Sequence, residues 1–314
     1  MHAPLLFGER DGGAGAGGDD THPPFDLLGA LHDFVLRMFA SLGLCAKPPL
    51  PLTETQKLRL AKLTKRVEVP YDAGNKDHST QLTTLWRVTF PGREELQPSD
   101  PNSSKNEGWK DMGWQGTDPA TDFRSGGVLS LENLLWFAVN DHETYERIQK
   151  KKTGTRSEWE YPFAAAGVNV TFNLVDLLEL RTRKAIGSAG VVDRGDGGLT
   201  DERSTPEPIK VPSSPAAVAF LDLLDPGARQ EQTGEVDISG NNSGNPDFAF
   251  EQMYVTFWEV FDNEWLDRKA TYMEFSQVMQ SCREKVRIAL EKGGKQAGGC
   301  TLGGVREMLG LKPL

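Results

Sequence analysis

Cysteine is scarce in this 314-residue chain, and its scarcity excludes domains held together by disulfides or structural zinc. The three cysteines, Cys45, Cys282 and Cys300, lie far apart and match no metal-ligand spacing. Disulfide frameworks and zinc sites both need several thiols at characteristic spacings. Stability must therefore come from a hydrophobic core in a reducing compartment, and 38% hydrophobic with 25% charged residues is an ordinary composition for such a core.

Long apolar runs and an excess of positive charge are also missing. No uninterrupted apolar stretch approaches the roughly 18 residues that a membrane-spanning helix needs, and no charged leader with an apolar core opens the chain. The formal net charge is −10, which argues against a general role in binding nucleic acid, because phosphate contact needs a basic field. We expect a cytoplasmic protein without a transmembrane segment or a nucleic-acid partner.

The known catalytic and nucleotide-binding motifs are absent. The chain has no G-x-x-x-x-G-K-[ST] loop, no dinucleotide fingerprint after a strand, no H-E-x-x-H and no nucleophile elbow. The stretch GDGGLTDE at 195–202 superficially resembles a calcium loop but lacks the bidentate Glu at the twelfth position, and the five histidines form no pair at helical spacing. We therefore expect no bound nucleotide, no metal and no other cofactor.

What the sequence does contain is helical periodicity. Apolar residues recur at steps of three and four, and no segment alternates like a strand, which predicts an all-α fold of about eight to ten helices. Thr53 with Gln56 and Thr271 with Glu274 are capping boxes, and Ser130 and Ser214 are expected N-caps. Helices are predicted at 27–42, 54–67, 76–90, 130–138, 162–180, 214–225, 250–265 and 271–292. The aromatic stripe at Phe250, Met253, Tyr254, Phe257, Phe261 and Trp265 is expected in the core.

Glycine, proline and polar residues mark the expected domain boundaries. Residues 1–21 form a Gly-rich tail that cannot bury enough apolar surface to offset its chain entropy, so we expect it to be disordered. The domain is predicted at 22–292, with mobile insertions at about 187–212 and 226–246, and residues 293–314 are expected to be a loose tail.

One helix is unusually basic for an acidic protein. Three interpretations of its charged face remain open: contact with anionic lipid headgroups, contact with an acidic partner, or a solvated face. The first would allow peripheral attachment to an organelle membrane. The basic residues of this helix are Lys57, Arg59, Lys62, Lys65 and Arg66.

The segment from Trp109 to Leu131, WKDMGWQGTDPATDFRSGGVLSL, combines the residues that fix a loop with one long cation, Arg124. Four glycines permit positive φ, Pro119 fixes its own φ, and Asp118, Thr121 and Asp122 can bond nearby amides. Arg124 either pairs with Asp122 or another acidic residue and merely fixes the loop, or reaches outward to a partner. A helix starting at Ser130 would add positive potential beside Arg124, suited to phosphate oxygens.

This segment resembles the signature of the ELMO domain, W-x3-G-F-Q followed by P-x-T-D-F-R-G-x-G-x3-L. The match is carried by Trp109, Gly113, Gln115, Pro119, Thr121, Asp122, Phe123, Arg124, Gly127 and Leu131. Trp114 stands where the family usually has Phe, and Ser125 where it usually has Gly, a change that matters if that position needs a positive φ. Similar stretches at 71–92, 131–138, 161–174 and 265–279 extend the resemblance over roughly 50–290, with a core at 71–180.

The resemblance implies a function. Short ELMO-domain proteins act as GTPase-activating proteins for Arf-family small GTPases, including Arf-like members, and the signature arginine is the proposed arginine finger. This assigns Arg124 as the catalytic residue and the GTP-bound GTPase as the partner. The other signature residues, with Trp114, would position the loop or contact the partner. Longer relatives are adaptors, so the alternative is a non-catalytic interaction module in small-GTPase, membrane-traffic or cytoskeletal signalling.

Overall fold

The computed structural model describes residues 51–94, 96, 105–149, 161–181, 210–228 and 244–314, and residues 51–314 belong to one compact unit. The described part contains α-helices and short 3-10 turns and no strand, so the all-α prediction is confirmed. The helices are α1 (Glu54–Val67), α2 (Lys76–Thr89), α3 (Gly127–Asn140), α4 (His142–Gln149), α5 (Phe163–Leu177), α6 (Pro215–Leu224), α7 (Ala249–Arg268), α8 (Phe275–Gly294) and α9 (Leu302–Met308).

Several sequence predictions fall outside the described residues. These are the tail at 1–21, the helix at 27–42, the loop at 195–202, and most of the two expected insertions.

The predicted caps form where the sequence placed them, with one exception. Thr53 Oγ1 accepts a hydrogen bond from Gln56 N at 3.1 Å, and Gln56 Oε1 accepts one from Thr53 N at 3.1 Å. The Thr271–Glu274 capping box is also present, and Ser214 caps α6. These reciprocal bonds satisfy first-turn amides that have no partner within the helix. The exception is Ser130, which lies buried inside α3.

The core is built around α7, which packs against α3, α5, α8 and α9. Its predicted aromatic stripe is buried throughout, so the core interpretation is confirmed. Gly167 allows α5 to pack closely against α7, because a Cβ there would lie 2.4 Å from Trp258 Cη2. Phe163 of the same helix lies 4.7 Å from Trp258 between ring centroids. Such ring contacts add to the free energy of area burial.

The predicted loose tail at 293–314 is wrong. The chain forms α9 there, with Leu302 and Val305 buried, and Arg306 enters the core. Arg306 Nη2 lies 2.6 Å from Glu259 Oε2, Nη1 donates to Thr256 Oγ1 at 3.1 Å, and Nε donates to the carbonyl of Lys312 at 2.6 Å. A buried ion pair therefore helps to anchor this segment, and hydrophobic periodicity does not register such a pair.

The basic residues of α1 do not share one free face. Arg59 Nη2 pairs with Asp247 at 2.8 Å, and Arg66 pairs with Glu132 and Glu251 at 2.8 Å each. Lys57 pairs with Glu54 within the helix, while Lys62 and Lys65 are exposed. Two of the five predicted contact residues thus hold α1 on the rest of the molecule. Within the described residues, no helix is long and apolar enough to cross a membrane.

Candidate functional site

Two 3-10 turns precede α3, Glu107–Met112 and Pro119–Arg124, and we call residues 107–127 the arginine turn. Asp118 caps the second turn: its Oδ1 accepts from Ala120 N at 3.1 Å. Thr121 Oγ1 donates to the carbonyl of Asp118 at 2.9 Å. Pro119 is the first residue of this second 3-10 turn and is buried. Proline fits there because its fixed φ suits the position and the amide it lacks would have no partner.

Aromatic side chains anchor the arginine turn in the core. Trp109 meets Trp86 of α2 edge to face at 5.5 Å between centroids. Trp114 meets Phe123 at 4.9 Å, and Phe123 stacks on Tyr71 at 4.5 Å. All three rings contributed by the turn are buried. The turn cannot move away from the domain without exposing these rings to water. Burial of the rings therefore fixes the backbone of the turn as well as stabilising the core.

Two glycines of the arginine turn are required by their surroundings. Gly113 has φ +85°, and a Cβ there would lie 2.3 Å from the backbone nitrogen of Phe163. Gly127 has φ +59°, and its Cβ would lie 2.4 Å from the carbonyl oxygen of Val69. A backbone hydrogen bond also joins each site to another segment of the chain. Ala165 N donates to the carbonyl of Gly113 at 3.2 Å, and Val128 N donates to the carbonyl of Val69 at 3.0 Å. L-residues with side chains rarely tolerate this combination.

The first turn of α3 starts closer to Arg124 than predicted, because Gly126 rather than Ser130 is the N-cap. Gly126, Val128 and Leu129 are buried, and the Val128 amide already donates to Val69. That amide is not available to a phosphate from outside. The first-turn amides of α3 therefore contribute less to a phosphate site than predicted. The positive charge exposed to solvent at this site is that of the Arg124 side chain.

Arg124 is exposed at the end of the second turn. Within the part of the chain that the structure describes, no side chain forms a hydrogen bond or ion pair with it. Asp122 instead accepts a hydrogen bond from Gln115 N at its Oδ2, at 3.2 Å. Burial raises the pKa of Asp122, the bond from Gln115 opposes that shift, Asp118 adds to it, and Arg124 lowers it as a nearby charge. Asp122 thus braces the loop, and the Arg124 guanidinium stays available to a partner.

Ser125 does not distort the turn, although the family signature usually has Gly at this position. Its φ is −87° and its ψ −31°, in the right-handed region open to any residue. The position after Arg124 therefore needs no positive φ, and serine meets its backbone requirement.

The signature residues divide into anchors and surface groups. Trp109, Trp114, Pro119 and Phe123 are buried, whereas Gln115 and Thr121 are exposed with Arg124. The indole N–H of Trp114 is buried without a hydrogen-bond partner among the described residues, which is consistent with a position that accommodates Phe in related signatures.

Four residues of the site were not singled out from the sequence: Val69, Tyr71, Phe172 and Arg181. Tyr71 has a signal, since it opens a stretch that resembles the family. Burial raises its pKa to about 12, and Asp118 and Asp72 contribute. Arg181 has no sequence signal. Its Nη2 donates to the carbonyl of Ser125, and its Cζ lies 4.9 Å from the centroid of Phe172.

Helices packed around an aromatic core, with one arginine presented on a braced turn, define an all-α domain of the ELMO type. The sequence profile of the ELMO/CED-12 family matches residues 61–279, which is more than half of the chain. The chain belongs to this family.

Relatives from Dictyostelium discoideum and Mus musculus match different lengths of the chain. ELMO domain-containing protein A of Dictyostelium discoideum is 30% identical over 236 residues, 75% of this chain and 21% of that protein. ELMO domain-containing protein B of the same organism is 35% identical over 41% of this chain and 42% of its own length. ELMO domain-containing protein 1 of Mus musculus is 33% identical over 38% of this chain and 39% of its own length. The matched region is thus less than half of each of these relatives.

Proposed function

We propose that this protein is a GTPase-activating protein for GTP-bound Arf-family small GTPases, and that Arg124 enters the partner's active site. The observation that carries the proposal is an exposed arginine on a rigid turn, with Asp122, two positions before it, engaged by a backbone amide. The resemblance of the turn to the ELMO signature supplies the class of partner. The protein itself then needs no nucleotide, metal or other cofactor.

The chemistry explains why the residue is an arginine. In GTP hydrolysis, the transition state spreads negative charge over the γ-phosphoryl oxygens, and a GTPase that lacks its own arginine gains from one supplied in trans. The guanidinium is always charged, long enough to reach, and planar, so it can bridge two oxygens. Such an arginine contributes about 10³ to 10⁵ in rate, or about 4–7 kcal/mol of barrier. The partner supplies nucleotide, Mg²⁺ and the attacking water.

The remaining residues of the arginine turn serve this task in two ways. Trp109, Trp114 and Phe123 fix the turn from below, while Gly113 and Gly127 permit the close approach of neighbouring backbone. Gln115 and Thr121 are exposed beside Arg124, and we assign them to contact with the GTPase surface. Rigid support matters because catalytic groups lose effectiveness when misplaced by about 1 Å.

We propose at most a peripheral membrane contact for this cytoplasmic protein, through Lys62 and Lys65. Lys57, Arg59 and Arg66 are excluded from it because acidic side chains of the same protein already engage them. Reversing Lys62 and Lys65 to Glu should weaken cosedimentation with vesicles containing phosphatidylserine and leave activity on a soluble GTPase unchanged. Equal sedimentation of both proteins would show that these lysines are simply solvated.

The deciding experiment measures phosphate release from purified, GTP-loaded Arf and Arf-like proteins under single-turnover conditions, at saturating concentrations of this protein. At least one GTPase should show accelerated hydrolysis. With that GTPase, Arg124→Ala and Arg124→Lys should each lower the stimulated rate by about two decades or more, because lysine keeps the charge but loses the planar fork. Melting temperature and affinity for the GTP-bound partner should change little.

Arg93→Ala is the matched control. Arg93 is also an exposed arginine, but its Nη1 already pairs with Asp111 at 2.7 Å. This variant should stimulate hydrolysis like the wild type. If Arg124→Ala also matched the wild type while the GTPase still bound, the chain would be an interaction module. If it lost rate only in proportion to folded protein, Arg124 would be a structural residue.

A further inference from the structure

Arg181 lies against the arginine turn although 56 positions separate it from Ser125 in the sequence. It follows α5 and donates from Nη2 to the carbonyl oxygen of Ser125, the residue directly after Arg124. The Arg181 guanidinium also lies over the ring of Phe172, with its Cζ 4.9 Å from the ring centroid. Phe172 is an exposed ring on a helix that is otherwise mostly buried. An exposed aromatic ring and an exposed arginine thus form a pair whose hydrogen bond ends on the arginine turn.

We propose that Arg181 is a positioning residue for Arg124, and this proposal rests on the proposed function of Arg124. The backbone before Arg124 is fixed by the Asp118 cap and by Asp122. The backbone after it passes through Ser125, whose carbonyl oxygen accepts the hydrogen bond from Arg181. The bond from Arg181 orients the peptide that joins Ser125 to Gly126. Arg124 is then held from both sides.

The chemistry of the pair favours arginine at position 181. A guanidinium can lie over a ring and donate in its own plane at the same time, so Phe172 restrains the donor while it holds the carbonyl. Lysine could donate to the same oxygen but has no plane to restrain it.

Single-turnover hydrolysis over a range of protein concentrations tests this role. We expect Arg181→Ala to lower the maximal stimulated rate by about tenfold, because misplacement of a catalytic group by about 1 Å can cost up to about a hundredfold. The concentration for half-maximal stimulation and the melting temperature should stay near wild-type values. Arg181→Lys should fall between wild type and Ala, and Phe172→Leu should reduce the rate less than Arg181→Ala.

Arg283→Ala is the matched control, because Arg283 also contacts α5, through Asp176, but is not bonded to Ser125. It should stimulate hydrolysis like the wild type. Amide hydrogen exchange of peptides covering 119–126 gives a second readout that does not depend on activity. Exchange there should be faster in Arg181→Ala and unchanged in Arg283→Ala.

Each outcome decides between the two proposals. A raised half-maximal concentration with an unchanged maximal rate would make Arg181 a docking contact, and unchanged exchange at 119–126 would show that it does not order the turn; either result overturns the positioning role. If Arg124→Ala matched the wild type, the proposed function would fail, and exchange alone would then decide whether Arg181 orders the turn. Loss of rate in Arg124→Ala with normal rate and exchange in Arg181→Ala would overturn only this inference.

Discussion

The arginine turn and the C-terminal segment are both short, glycine-containing stretches with one central arginine. The arginine is exposed in the first and buried in the second. Arg306 is 2% exposed and bonded to Glu259, Thr256 and the carbonyl of Lys312. Arg124 is exposed, and no described residue engages its donors in a hydrogen bond. A buried guanidinium must be paired, because desolvation of an unpaired charge is expensive. Its donors are then used internally, and an arginine meant for a partner has to stay at the surface.

Breaking the buried arginine should give the largest effect on stability. Arg306→Ala leaves Glu259 without one of its two partners and detaches α9, so the free energy of unfolding should fall by about 3–5 kcal/mol. Urea denaturation followed by tryptophan fluorescence measures it. Arg287→Ala is the control, since Arg287 pairs with Glu284 and Glu291 on the surface of α8 and should matter far less. Equal losses in both variants would contradict the importance of burial.

A side chain at Gly113 should give the next largest effect. Gly113→Ala must adopt φ +85° and meets Phe163 N at 2.3 Å, so we expect a loss of roughly 2 to 4 kcal/mol. Gly116→Ala is a matched control in the same turn, because Gly116 has no positive φ and its Cβ would meet only Asp118 N, at 4.0 Å. Thermal melting of both variants checks the difference. A Gly113→Ala protein as stable as Gly116→Ala would show that the turn adjusts freely.

The brace at Asp122 should matter less. Asp122→Ala removes the acceptor for Gln115 N and should cost about 1 kcal/mol, whereas Asp122→Asn keeps an acceptor and should cost less. Because burial raises the pKa of Asp122 in the folded protein, its protonated form is favoured there. Folding stability from this group is therefore fullest at acidic pH and is lost as pH rises through the raised pKa. Asp122→Asn should remove that pH dependence, and unfolding curves at several pH values would reveal a failure to do so.

The smallest effect is expected at Ser125. Ser125→Gly restores the usual signature residue, but the backbone there already has φ −87°, so no strain is relieved. The added flexibility should destabilise the turn by about 0.5 kcal/mol and leave the stimulated hydrolysis rate unchanged or slightly lower. Single-turnover kinetics beside melting curves would test it. A clearly faster variant would mean that the turn is strained in the complex.

Periodicity predicted much of the fold because helices such as α8 bury one continuous apolar face, and caps such as Thr53 are local in sequence. The C-terminal helix escaped prediction because a long-range pair between Arg306 and Glu259 holds it. The start of α3 escaped because Gly127 is fitted against Val69, a contact absent from any local pattern. For the site, the sequence indicated Arg124 but not whether its side chain is unpaired within the turn. That depends on Asp122, which accepts a hydrogen bond from Gln115 N and not from Arg124.

The backbone hydrogen bonds that join the arginine turn and the start of α3 to Ala165 and Val69 have a consequence for the entropy of forming a complex with a partner. A flexible six-residue loop that ordered on docking would lose about 1–2 kcal/mol of backbone entropy for each residue. Here that ordering is already complete in the free protein, because the rings below the turn and the amides beside it hold one conformation. On engaging a phosphoryl group, Arg124 would give up only its side-chain rotamer freedom, about 2 kcal/mol.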